Sequence, residues 1–481
     1  MPKPDYKSQI TRGIKWNLAN KLTHQLGSLL FTVVLARLLT PNDFGLIAML
    51  TVLFGFLRTI LNLGLNAALI QKDKLNHTTI CTVFWTQAGL GLLLALGIAF
   101  SASGIASFYE ATELGRIAYF LAIAFFLESL EIAQLALLTR KLAFQKIFYL
   151  RFISMALAGA IAVYLASTGY SYWSLVAQQI IYHGLLSFLL WIWSGWQPSW
   201  QFSLVTLREL FTFSGPVFLN ALANYWVRNI DKVLIGKSFG GTQLGFYEKG
   251  YGIMLQPLRN VTGAVSEVLF PTLSKLQHDN ALASPLFLSW IRAIAFFTFP
   301  GMLILSISAE SFILLILGDQ WGGSIPILQV LALVGMIQSI SGLYSSVYLA
   351  KGATNLQLKL GLILKAQTIA WIIFGLQWGI VGVAKAYFVA VLINQIPHIY
   401  YSGQLLGISI QQFAANLAPT LFCSVAMAGT LYLINDWYLQ ELSSHFVHLF
   451  CSGVIGLMLY FLFVKLHPAD ILSDLTQLVR K

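Results

Sequence analysis

The stretch WNLANKLTHQLGSLLFTVVLARLLTPNDFGLIAMLTVLFGFLRTILNLGL (Trp16–Leu65) decides the fold class. It holds two apolar runs, Trp16–Leu39 and Phe44–Leu65, parted by a short turn around Thr-Pro-Asn-Asp. Each run is about as long as the 20 or so residues that a helix needs to cross a bilayer core. Proline and aspartate between them punctuate one helix from the next. Such a pair is a transmembrane helical hairpin.

The rest of the chain repeats the pattern. Of 481 residues, 57% are hydrophobic and only 10% charged, and the mean hydropathy is +0.75. Soluble domains carry roughly 25% charged residues, so this chain cannot cover itself with a hydrated surface. Counting runs gives about fourteen spans. After the first two they are 79–100, 117–138, 147–165, 173–193, 210–235, 244–269, 286–307, 325–349, 356–376, 381–401, 413–433 and 446–466. The runs are continuous rather than alternating, which argues against a β-barrel. The expected fold is an all-α integral membrane protein.

Loop charge supports the count. Lys3, Lys7, Arg12 and Lys15 precede the first span, and Arg140, Lys141, Lys146, Arg208, Lys275 and Lys351 fall in loops of the same parity. Glu110, Glu113, Glu310, Asp319, Asp436 and Glu441 fall in the opposite set, where Arg116 and Lys237 are the basic exceptions. This places both termini in the cytoplasm, and it accounts for the net charge of +11 without nucleic acid as a partner. No signal peptide is read at the N-terminus. Cys81, Cys423 and Cys451 lie inside apolar runs without metal-ligand spacing.

A repeat is visible at a spacing of two hundred positions. Leu35–Leu46 (LARLLTPNDFGL) faces Ile235–Phe246 (IGKSFGGTQLGF), with Arg37 against Lys237, Gly45 against Gly245 and Asn20 against Asn220. Six spans separate the copies, so they enter the membrane in the same direction, as in a parallel repeat about an axis normal to the membrane. The reading divides the chain into 1–205 (helices 1–6), 206–405 (helices 7–12) and 406–481 (helices 13–14 and a tail).

Polar residues inside the spans are costly and mark cavities or partners. The first span carries Asn17, Lys21, His24 and Ser28 on one face; the second Arg58, Asn62 and Asn66. The seventh carries Asn220, Asn224, Arg228 and Asp231 with Lys232 beside them; the eighth Arg259, Ser266 and Glu267. Asn17, Lys21, Arg58, Asn62, Asn224, Arg228, Lys232 and Arg259 are the candidate substrate-binding residues, lining a cationic cavity between the halves suited to a phosphate or diphosphate. Glu128, Glu131, Asp231 and Glu267 are the candidates for ion coupling, with pairing to nearby basic residues as the alternative for Glu128 and Glu131 and a structural pair for Glu267; Gln134 extends the stripe of the first two. Snorkelling of Lys21 and Lys232, and pairing of Arg228 with Asp231, are the structural alternatives. His398 and His467 read as interfacial. No phosphate loop, metal-binding motif or catalytic constellation is present, so no enzyme activity, cofactor or metal is expected.

LARLLTPNDFGLIAM (35–49), LGLNAALIQKDKLNHTTICTVFW (63–85), NIDKVLIGKSFGGTQLGFYEKGY (229–251) and SEVLFPTLSKL (266–276) resemble the Wzx-type polysaccharide flippases of the multidrug/oligosaccharidyl-lipid/polysaccharide exporter superfamily. The similarity lies with the colanic acid and teichuronic acid exporter branch. It implies a MATE-like fold of two six-helix lobes plus two C-terminal helices, and an undecaprenyl-diphosphate-linked oligosaccharide carried from the cytoplasmic to the outer leaflet of the bacterial inner membrane. It further implies work alongside a polysaccharide polymerase and the glycosyltransferases of one pathway. A small-molecule drug antiporter is the rival within the superfamily, although its cavity would be acidic. A membrane-embedded polymerase or ligase is the rival from another class, but the loops, of about a dozen residues at most, leave no room for a catalytic domain.

Overall fold

The computed structural model describes residues 6–62, 65, 69, 75–439 and 444–467; within these, the side chains of 6–12, 14, 212–217, 219–224, 227, 228, 259, 264, 267, 438 and 439 lie outside the description. The described residues are helical almost throughout, without strands. The helices are α1 (Tyr6–Leu38), α2 (Pro41–Asn62), α3 (His77–Tyr109), α4 (Glu113–Arg140), α5 (Phe144–Ser167), α6 (Trp173–Trp193) and α7 (Leu204–Lys275). They continue as α8 (Asn280–Ile307), α9 (Ala309–Ile316), α10 (Ile325–Ala350), α11 (Thr354–Gly375), α12 (Gly379–Leu406), α13 (Ile410–Ile434) and α14 (His445–Leu466).

Ten stretches of the described residues are long and apolar enough to cross a membrane, against about fourteen expected. Part of the difference has physical causes. A 3-10 turn at Leu376–Trp378 joins α11 and α12 into one apolar stretch, Thr354–Leu406. The middle of α1 carries Lys21, His24, Gln25 and Ser28, which dilute its apolar character. In α7 many side chains lie outside the description. That helix is two helices joined at Gly240, whose φ of +78° and ψ of −176° break the helical path. Only glycine adopts that geometry without strain.

Packing divides the chain into two compact units, Met1–Gly245 and Phe246–Lys481. In the first, α3 packs on α4, α5 on α6 and α1 on α5. In the second, α10 packs on α8 and α12, with α13 against α8 and α14. The second core is built on residues such as Phe287, Tyr344 and Phe413, with a satellite around Phe296, Met427 and Tyr460.

The Leu35–Leu46 turn is a buried corner. Asp43, only 4% exposed, caps the start of α2: its Oδ2 accepts from Thr40 N at 2.8 Å and from Thr40 Oγ1 at 2.7 Å. Its other oxygen accepts from the Ser171 hydroxyl and from Tyr172 N at 3.1 Å. One carboxylate thus ties the α1–α2 turn to the α5–α6 turn. A few residues on, the α2 backbone touches the second copy of the repeat. A Cβ on Gly45 would overlap the carbonyl oxygen of Gly241, and one on Gly245 that of Pro41.

Candidate functional site

In the first unit α1, α2, α4, α5 and α6 surround a polar cavity of about 510 Å3. Helical register aims its side chains inward. His24 and Ser28 stand one turn apart on α1, and Gln179 and His183 do so on α6. On α4, Glu128, Glu131 and Gln134 recur every three residues and form one buried seam.

The centre of the cavity wall is an ion pair. Arg58 Nε of α2 donates to Glu128 Oε2 of α4 at 2.6 Å, with the two side chains 36% and 19% exposed. A charge-assisted bond this short is strong, and the low polarity around it sharpens the effect. The Asn62 amide donates to the Arg58 carbonyl at 2.9 Å, one turn along α2. Arg58 is therefore neutralised by a carboxylate rather than standing as an open cation.

Behind this pair lies a second one. His183 Nδ1 is 3.1 Å from Glu131 Oε1, and both side chains are almost fully buried. Two lone pairs facing each other at that distance would repel, so a proton sits between them, on the ring or on the carboxyl. Farther along α4, Gln134 is fully buried, and its amide nitrogen and oxygen have no hydrogen-bond partner among the described residues. Such an amide is the usual seat of an internal water. Beside the cavity, Asn20, Thr23, His24 and Arg151 line a small crevice between α1 and α5.

The structure thus brings Arg58, Glu128 and Glu131 together with His24 and Ser28. It does not bring Lys21 to this cavity wall: Lys21 is exposed, and Asn17 is half-buried farther along α1. On α7, Asp231 is 6% exposed and Lys232 is half-buried. The side chains of Asn224, Arg228, Arg259 and Glu267 lie outside the described residues.

Sequence reading missed His183, Gln178, Gln179, Tyr182 and Arg151. A signal was there, in the polar pairs at i and i+4 on the otherwise apolar 173–193 run. It also missed a network in the second unit. Gln395 donates to Ser341 Oγ at 2.9 Å and accepts from Tyr344 OH at 3.2 Å. His398 stacks on Tyr344 with 5.3 Å between ring centroids. Among the described residues, no group of three or more His, Cys, Asp or Glu side chains converges as a metal site.

A polar, ion-paired cavity inside a bundle of helices long and apolar enough to cross a membrane is the build of a multi-pass membrane protein. Among solved structures the chain is similar to an inward-facing multidrug resistance MATE family transporter of the MOP superfamily, with a TM-score of 0.63 and 12% identity, over 80% of this chain and 94% of that one. Residues 34–326 match the polysaccharide biosynthesis protein family, and the chain belongs to that family.

The relatives agree. The chain is 28% identical to the teichuronic acid biosynthesis protein TuaB of Bacillus subtilis, over 73% of this chain and 74% of that protein. It is 25% identical to the lipopolysaccharide biosynthesis protein WzxC of Escherichia coli, over 87% of each. It is 26% identical to the succinoglycan biosynthesis transport protein ExoT of Rhizobium meliloti, over 98% of this chain and 96% of that protein. The likeness to Wzx-type flippases drawn from the sequence motifs is borne out.

Proposed function

We propose that this protein carries an undecaprenyl-diphosphate-linked oligosaccharide from the cytoplasmic to the outer leaflet of the bacterial inner membrane by alternating access, without chemical change to its cargo. The single observation that carries this reading is the Arg58–Glu128 pair on the wall of a polar cavity, in a chain of a polysaccharide biosynthesis family. A helical membrane protein retains such charges where water or a charged ligand reaches them.

The diphosphate takes Arg58 from Glu128, because a planar guanidinium grips phosphate oxygens in pairs. Asn17, Lys21, Asn62, Asn224, Arg228, Lys232 and Arg259, the other cationic and amide candidates of the spans, contribute further contacts to the cargo. The exchange frees the Glu128 carboxylate beside the proton held by Glu131 and His183. Cargo binding and proton movement are thereby linked, with Asp231 and Glu267 as further candidates for ion coupling. With both termini in the cytoplasm, a membrane potential negative inside drives the anionic headgroup outward, by about 2.3 kcal/mol per charge per 100 mV. A polymerase and the pathway's glycosyltransferases stand on either side of this step.

The test is complementation of a strain whose own polysaccharide exporter has been deleted. Surface polymer returns with the wild-type chain and fails to return with Arg58→Ala expressed to the same level. A chain that restores no polymer but confers efflux of cationic dyes would overturn the proposal in favour of a drug antiporter.

A further inference from the structure

The first unit holds a second cleft that the cargo path above does not use. It lies between α2, α3 and α7, with a volume of about 560 Å3. Met49 and Val52 of α2, Phe100, Gly104 and Phe108 of α3, and Trp226 of α7 form its walls. The α3 wall looks away from the protein. Phe100 is 85% exposed, and a Cβ on Gly104 would have nothing within 4 Å. Since α2 and α3 both qualify as membrane spans, the open side of this apolar cleft meets hydrocarbon.

Its mouth is charged. Helix α3 ends at Glu110, which adopts a left-handed conformation with φ +56°. Lys237 of α7 donates to its carboxylate at 2.6 Å. The same ammonium stands 5.6 Å over the Phe108 ring. Lys237 is a basic exception on the side that loop charge marks as external, and nothing in the cargo path employs it. The pair is solvent-exposed, 80% at Glu110 and 38% at Lys237, and exposed pairs hold each other weakly. Lys237 is therefore held loosely enough to exchange Glu110 for another anion.

We propose that the cleft and Lys237 together form an exit site on the outer leaflet, where the polyprenyl chain of the transported lipid lies along α3 and its diphosphate rests on Lys237. Apolar walls below a single cation match an anionic headgroup on a long hydrocarbon chain. The inference rests on the lipid-linked cargo proposed above.

The experiment uses the full-length protein in nanodiscs and a polyprenyl diphosphate bearing a diazirine on its chain, with adducts mapped by peptide mass spectrometry. Adducts are expected on α3 between residues 97 and 108. Unlabelled polyprenyl diphosphate should compete them away, and excess phosphatidylglycerol should not. Lys237→Gln should lower their yield about tenfold, the loss of one charge-assisted contact. Gly104→Trp should remove them, since a bulky side chain there enters the cleft without displacing neighbours. Adducts that phosphatidylglycerol removes equally well, or that survive both substitutions, would show an ordinary lipid-facing surface and overturn the exit site. Leaflet transfer measured on the same preparation separates the two ideas. Transfer without competable adducts on α3 defeats the exit site alone. Absence of both transfer and probe binding anywhere in the chain defeats the cargo assignment with it.

Discussion

Gly45 and Gly245 hold equivalent places in the repeat, and each presses on the backbone of the other copy's turn, Gly45 on the carbonyl of Gly241 and Gly245 on that of Pro41. Under the alignment that pairs 41 with 241 and 45 with 245, these are one contact seen twice. Small residues let helix backbones approach closely within a membrane, and here the approach leaves no room for a methyl group. Gly45→Ala should destabilise the protein by ~1–3 kcal/mol, the usual cost of overpacking. Thermal unfolding of the detergent-solubilised protein checks this. Gly97→Ala, on a helix face with nothing within 4 Å, should leave the midpoint unchanged or raise it, since alanine favours helix over glycine.

Asp43 should matter through structure rather than transport chemistry. Asp43→Ala removes the acceptor for Thr40 N, Thr40 Oγ1, Ser171 Oγ and Tyr172 N. Each bond to a charged group contributes about 1.5–3 kcal/mol, and stranded donors add their own cost. Bonds sharing one acceptor do not add, and the exposed turn lets water satisfy part of the donors, so the expected net loss is roughly 3 kcal/mol, visible as a lower unfolding temperature and as faster proteolysis at the 168–172 turn. Transport per folded molecule should be retained.

A double-mutant cycle on Arg58 and Glu128 separates pairing from binding. Glu128→Ala leaves Arg58 in a half-buried cavity wall without its carboxylate, and Arg58→Ala leaves Glu128 likewise. The coupling in stability should be about 1–3 kcal/mol, below the value for a fully buried pair because Arg58 is 36% exposed. The double substitution should be more stable than the two single losses added together, yet it should not restore transport.

Much of the fold was legible in the sequence. Most of the expected spans overlap a helix of the described residues to within a residue or two at each end, and the break between the seventh and eighth falls at Gly240. Continuous apolar runs and glycine punctuation are local signals, so one sequence suffices for them. The site was legible only in part. The stripe on α4 was visible because Glu128, Glu131 and Gln134 share a face, and Arg58 because a cation at mid-span is rare. That Arg58 spends its charge on Glu128, 70 positions away, depends on how α2 packs against α4, which no local pattern encodes. His183 was missed for a related reason: its spacing from Gln179 was a signal, but its role depends on Glu131 lying beside it. The Thr-Pro-Asn-Asp-Phe-Gly motif served as a family marker, whereas its residues build a cap and a close backbone contact.

The Glu110–Lys237 tie has a definite pH range. The Lys237 ammonium, by its hydrogen bond and then by its charge, holds the Glu110 carboxyl below the ordinary glutamate value. A depressed acid keeps its contribution above the unfolded-state pKa of about 4.3 and loses it as pH falls through the lower folded value. The contact should therefore be constant across neutral pH and break only in acid. A carbon-13 titration of the labelled carboxyl should give a midpoint below the usual range, returning to it in Lys237→Gln. An unchanged midpoint in that variant would remove the pair from solution.

The most direct test of the account is leaflet transfer in proteoliposomes containing a lipid-linked oligosaccharide whose sugar becomes accessible to an external lectin only after crossing. The prediction is rapid conversion to the accessible form with the wild-type protein, and near-background conversion with Arg58→Ala at equal incorporation of folded protein. Equal transfer by the two proteins, or none by the wild type under an imposed potential, would contradict it.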